Sequence, residues 1–143
     1  MTYGLESSLE NVVSKSDIIS LHLPLTSETM HYVDTEFLSL CKRGSILINS
    51  SRGKIVKTKT IVTALENGML GGACLDVFEN EKPDTYNSED RTLYDRLNTR
   101  HNVVLSPHIA GWTFESKLRI ARQVVREVAK VDHRMDTNFT GSE

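Results

Sequence analysis

The sequence predicts an α/β fold in which an open parallel sheet alternates with helices. Short apolar runs recur along the chain, helix-period segments of about ten residues separate them, and capping or turn residues mark the joints. Strands separated by helices in this way are parallel and joined by right-handed crossovers.

The elements follow in order. Only Leu9 to Val13, within Ser8–Lys15, offers a helix before the first strand. Asp17-Ile-Ile-Ser-Leu-His-Leu is short, mostly apolar and stopped by Pro24, the pattern of a strand buried on both faces. Asp34-Thr35-Glu36 supplies an N-cap and acidic first turn for a helix carrying Phe37, Leu38 and Leu40, closed by Lys42, Arg43 and Gly44. Ser45–Asn49 reads as a second strand. Thr58–Asn67 then places Ile61, Val62, Ala64 and Leu65 at helical spacing before Gly68. A third strand is expected near Ala73–Phe78, and a long polar connection from Glu79 to about Arg91. Val103-Val104-Leu105-Ser106 forms a fourth strand, ended by Pro107. Thr113 caps a last helix whose Leu118, Ala121, Val125 and Val128 make an apolar stripe that needs a partner. Residues 1–131 would thus form one partial, doubly wound sheet domain, with no strand ahead of Asp17. Asp132–Glu143, poor in apolar residues, is expected to fray.

Composition narrows the function. The 143 residues carry 17 Lys plus Arg against 19 Asp plus Glu, a net charge of −2, with 38% hydrophobic residues. With a pI near 6.2 there is no basic face for nucleic acid. No apolar run approaches the ~18 residues of a membrane span and the first residues lack a signal-peptide pattern, so a cytoplasmic protein is expected. Cys41 and Cys74 lie apart in apolar segments, as reduced packing residues do. The five histidines have no metal-ligand spacing, and Asn49-Ser-Ser-Arg-Gly is not the elbow of a serine hydrolase.

Ligands of open parallel sheets bind outside the carboxyl ends of the strands. There the sequence places Asn49-Ser50-Ser51-Arg52-Gly53, then Asp76 to Glu81, then Pro107-His108-Ile109-Ala110-Gly111. An arginine, an acid and a histidine therefore reach one rim. This set suits oxidation of an alcohol next to a carboxylate. A guanidinium holds the carboxylate, an imidazole takes the hydroxyl proton, and an acid beside the imidazole fixes its tautomer. Taken singly, each residue has a plainer explanation. Arg52 can bind carbonyls at a turn, His108 and Glu81 can be solvated, and Asp76 can cap a strand end.

Four segments in series, Asp17-Ile-Ile-Ser-Leu-His-Leu-Pro24-Leu-Thr26, Ile48-Asn-Ser-Ser-Arg52-Gly53, Leu75-Asp76-Val-Phe-Glu-Asn-Glu81 and Ser106-Pro-His108-Ile-Ala-Gly111, resemble the signatures of the D-isomer-specific 2-hydroxyacid dehydrogenases. The resemblance runs from about Leu5 to about Val131. It implies a partial Rossmann-like domain, with Arg52, Glu81 and His108 catalytic. By the same likeness Leu23, Pro24, Ser50, Ser51, Arg52, Asp76, His108 and Gly111 would line NAD, Asp76 meeting the nicotinamide carboxamide or ribose. A small 2-hydroxy or 2-keto acid would be the substrate.

The chain also departs from that pattern. No G-x-G-x-x-G follows a strand, since Gly68-Met-Leu-Gly71-Gly72, the best candidate, follows a helix. The acid that reads the ribose is also missing, so NADP is not separated from NAD. In addition, Lys82 stands between Glu81 and Pro83 where the family places proline directly after the glutamate. A catalytically silent module that only folds or self-associates is therefore the competing expectation, and an uncovered sheet edge and helix stripe predict a homo-oligomer.

Overall fold

The computed structural model describes residues 7–139, with side chains through Lys130. Helix α1 (Leu9–Lys15) leads into β1 (Ile18–Leu21), followed by α2 (Thr35–Leu40), β2 (Ser45–Asn49), α3 (Thr58–Glu66), β3 (Leu70–Leu75), α4 (Ser88–Asn98), β4 (Val103–Leu105) and α5 (Phe114–Phe139). The chain divides into two compact units, Met1–His108 and Ile109–Glu143.

In the first unit the four strands pair in parallel in the order β1-β2-β3-β4, which bears out the α/β class. Because that order advances without reversing, right-handed crossovers put α2, α3 and α4 on one face. The described sheet is one winding of a doubly wound fold. Burial follows from this. Ile19, Leu21, Leu47, Ala73 and Leu75 face the helices and are buried, whereas Ile18, Ile46 and Val104, on the other face, are exposed. The first strand is therefore covered on one face, not two: its residues alternate exposed and buried. The core between sheet and helices is built on Leu38, Leu47, Ile61, Leu70 and Leu97, each at most 1% exposed.

Most helix starts lie where their caps are. The Asp34 side chain accepts the Phe37 N–H at 2.9 Å, and Ser8 caps α1 in the same way. The connection after Glu79 is shorter than expected. It holds a 3-10 turn at Pro83–Thr85 and then α4, whose Asn87 and Asp90 form a reciprocal capping box. This helix escapes the hydrophobic period because only Leu93, Tyr94 and Leu97 face inward among Glu89, Asp90, Arg91, Asp95 and Arg96.

Strand β3 also starts earlier than expected. Gly71 lies against the backbone of Gly44, where a Cβ would sit 2.3 Å from the carbonyl oxygen, so a glycine of low strand propensity is required there. Of the glycines weighed as a phosphate loop, Gly71 and Gly72 are thus part of the sheet, and Gly68 lies in the turn before it. Cys41 and Cys74 are free and half-buried, and burial pushes the Cys41 thiol up.

The second unit contains α5. Thr113 accepts the Ser116 N–H at 3.0 Å, as its capping position predicts. Its stripe residues Leu118, Val125 and Val128 are exposed. The helix runs on through Asp132 to Phe139, over a segment expected to fray, and Arg134 and Met135 there are good helix formers. Thr140–Glu143 lie outside the described residues. No helix among those described is long and apolar enough to cross a membrane.

Candidate active site

The carboxyl ends of β2, β3 and β4 are stitched together by backbone. The Asp76 N–H donates to the Asn49 carbonyl at 2.9 Å, and the Asp76 carbonyl accepts the His108 N–H at 2.8 Å. Asp76 is 6% exposed and its Oδ1 accepts the Ser106 hydroxyl at 2.6 Å. A buried carboxylate held in this way keeps a fixed orientation on the rim.

Asn49, 1% exposed, organises the turn that carries the arginine. Its Oδ1 accepts the Ser51 N–H at 3.1 Å and the Ser51 hydroxyl at 2.9 Å, while its Nδ2 donates to the Arg52 carbonyl at 3.0 Å. This is the Asx-turn chemistry that suits asparagine after a strand. Arg52 is exposed and donates to the Ser51 carbonyl at 2.7 Å. Among the described residues it forms no ion pair, so its charge is open to an anion.

Beyond Arg52 the backbone packs tightly. A Cβ on Gly53 would lie 1.7 Å from the Phe78 carbonyl oxygen, so the arginine turn and the segment leading to Glu81 touch backbone to backbone.

His108 and Glu81 meet. Nδ1 of His108 lies 2.9 Å from Oε2 of Glu81, both side chains being part-exposed. An ionised carboxylate only accepts, so Nδ1 is the donor and the neutral ring presents Nε2 as a base. His108 also has φ +57°, a left-handed conformation uncommon outside glycine, held by its N–H bond to Asp76. Glu81 and His108 border a cavity of about 370 Å³ that Asp76, Tyr86 and Tyr94 also line. Burial, then the charges of Tyr94, Asp90 and Glu81, push the Tyr86 hydroxyl above its ordinary range.

Of the other residues singled out in the sequence, Leu23 is half-buried against the core and Pro24 exposed, its carbonyl accepting the Thr29 hydroxyl at 2.7 Å. Ser50 is exposed and Ser51 is engaged by Asn49. Gly111 falls in the second unit. Sequence reasoning missed Asn49 and Ser106 as supports. Asn49, a turn-former at a strand end, was the readable signal.

Residues 2–110 match the family described as D-isomer specific 2-hydroxyacid dehydrogenase, NAD binding domain, and the chain belongs to it. It is 44% identical over 120 residues to a glyoxylate reductase of Pyrococcus furiosus, covering 84% of this chain and 33% of that protein. A glyoxylate reductase of Thermofilum pendens is 41% identical over 125 residues, covering 87% of this chain and 34% of the relative. The chain thus spans about a third of the length of these relatives. Among solved structures, D-lactate dehydrogenase from Aquifex aeolicus, complexed with NAD and lactic acid, superposes with a TM-score of 0.72 at 36% identity, covering 92% of this chain and 41% of that one.

The residues present fit one end of a dinucleotide. The buried Asp76 carboxylate and the hydroxyls and backbone of Ser50 and Ser51 supply acceptors and donors for a carboxamide or ribose. Among the described residues no glycine-rich turn leads from a strand into a helix to cradle a pyrophosphate.

Proposed function

We propose that this chain carries the nicotinamide side and the acid–base residues of a dehydrogenase that interconverts a small 2-hydroxy acid and its 2-keto acid. The observation that carries this reading is the 2.9 Å contact between Glu81 and His108, set on the rim beside the buried Asp76. Arg52 holds the substrate carboxylate through paired N–H bonds and polarises the oxygen on C2. His108 moves the proton of that oxygen at Nε2, while Glu81, on Nδ1, holds the ring and stabilises its charged form. Asp76, with Leu23, Pro24, Ser50 and Ser51, orients the nicotinamide. NAD, when bound, accepts or supplies the hydride at C2.

A titration of the purified chain with NADH, followed by the emission of the reduced nicotinamide, tests this first. Saturable enhancement, then oxidation of NADH on adding glyoxylate or pyruvate, is the expected result. A folded chain that leaves NADH emission unchanged favours the second reading, a silent module. Self-association belongs to either reading and rests on the bare apolar face at Ile18, Ile46 and Val104. Arg52→Lys is expected to raise KM for the keto acid and lower kcat, because an ammonium cannot grip a carboxylate in two places. Steady-state kinetics with unchanged KM would remove Arg52 from the substrate.

A further inference from the structure

A second carboxylate stands two residues before Glu81, and its partners come from two other segments. Glu79 is part-buried. Its Oε1 lies 2.8 Å from Nε2 of His31, and its Oε2 accepts the Thr58 N–H at 2.5 Å. Thr58 is the first residue of α3, whose N-cap residue, Lys57, makes no side-chain capping bond. Glu79 thus satisfies that helix end from 21 residues away in sequence. An ionised Glu79 is acceptor only, so the His31 ring donates.

His31 is itself unusual. It has φ +54°, and it and His108 are the two non-glycine residues with positive φ among those described. Its backbone N–H donates to the Lys54 carbonyl at 2.8 Å, and Val33 N–H donates to Ile55 at 3.0 Å. His31 is therefore sewn to the short turn Gly53–Ile55 that directly follows Arg52. A closed loop of contacts results. It runs from the arginine turn through His31 to Glu79, and back through Phe78 to Gly53.

We propose that Glu79 and His31 form a clamp that sets Glu81 on His108 and holds the arginine turn in register with it. Both are positioning residues, for neither touches His108. The inference rests on the reading of Arg52, Glu81 and His108 as the reacting set, but its physical content is the placement of Glu81.

The placement can be read without turnover, from the ring nitrogen and carbon-bound proton resonances of His108 in the isotopically labelled chain. Glu81→Gln defines the resonances of the altered pair. Glu79→Ala is expected to move His108 toward that position, and Glu79→Gln, whose amide oxygen still accepts the Thr58 N–H while its NH2 donates to the other tautomer of the neutral His31 ring, to leave it near the parent. His31→Asn keeps a residue tolerant of positive φ while removing the ring, and is expected to act like Glu79→Ala. A general loss of stability would not single out His108, so the exposed His101 serves as the internal reference. Unchanged His108 resonances in folded Glu79→Ala, or a Glu79→Gln shift as large as that of Glu79→Ala, would overturn the clamp. If Glu79→Ala fails to fold, His31→Asn decides by the same readout. Inactivity toward keto acids would defeat the catalytic reading and leave this result standing.

Discussion

Gly53→Ala is expected to cost about 3 kcal/mol of stability or more, near the upper end for overpacking, because the added methyl has no space to enter. It would lie 1.7 Å from the oxygen and 2.0 Å from the carbon of the Phe78 carbonyl, and both partners are backbone. Neither can turn aside as a flexible side chain would. The strain spreads in two directions, into the turn that presents Arg52 and into the segment from Phe78 to Glu81. Urea unfolding followed by circular dichroism gives the midpoint shift. Lys54→Ala, at the exposed next residue, should stay within about 0.5 kcal/mol of the parent. An unchanged midpoint for Gly53→Ala would mean that the two segments are not in contact.

The second large effect concerns the proton. In a protein preparation that reduces a 2-keto acid, replacing His108 is expected to lower kcat by roughly 10²–10⁴-fold while leaving NADH affinity nearly unchanged. The choice of replacement matters because His108 has φ +57°. Asparagine tolerates that backbone, whereas alanine adds strain to the loss of the ring. His108→Asn therefore isolates the chemistry, and a further loss in His108→Ala reports the conformational cost. Comparable kcat in the parent and His108→Asn would remove the histidine from proton transfer.

Much of this architecture was legible in the residues. Strand β2 and the starts of α1 and α3 follow from apolar spacing and the start of α2 from its Asp34 cap, and Glu81 and His108, singled out in the sequence, do meet in space. The failures have separate physical causes. Helix α4 shows too few apolar residues for a periodic signal, although Asn87 followed by Asp90 was a readable cap. Burial of β1 on one face depends on strand order, which local sequence does not carry. The positive φ of His31 and His108, and the bond from Glu79 to Thr58, depend on segments remote in sequence. Glycines signal such backbone demands openly, whereas two histidines in a left-handed conformation do not.

The backbone stitching of Asn49, Asp76 and His108 has a consequence for timescale. Asp76, just past the end of β3, joins Asn49 at the end of β2 to His108 beyond β4, and β3 is flanked by a strand on either side, so these hydrogen bonds open with the sheet itself. Arg52 and Glu81 sit on turns outside the ladder, where side chains reorient within nanoseconds. An incoming anion would meet a base whose main chain is as slow as the scaffold and a guanidinium that searches quickly. Capture and chemistry can then run on separate clocks, the first set by the motion of one exposed side chain and the second by the persistence of the sheet.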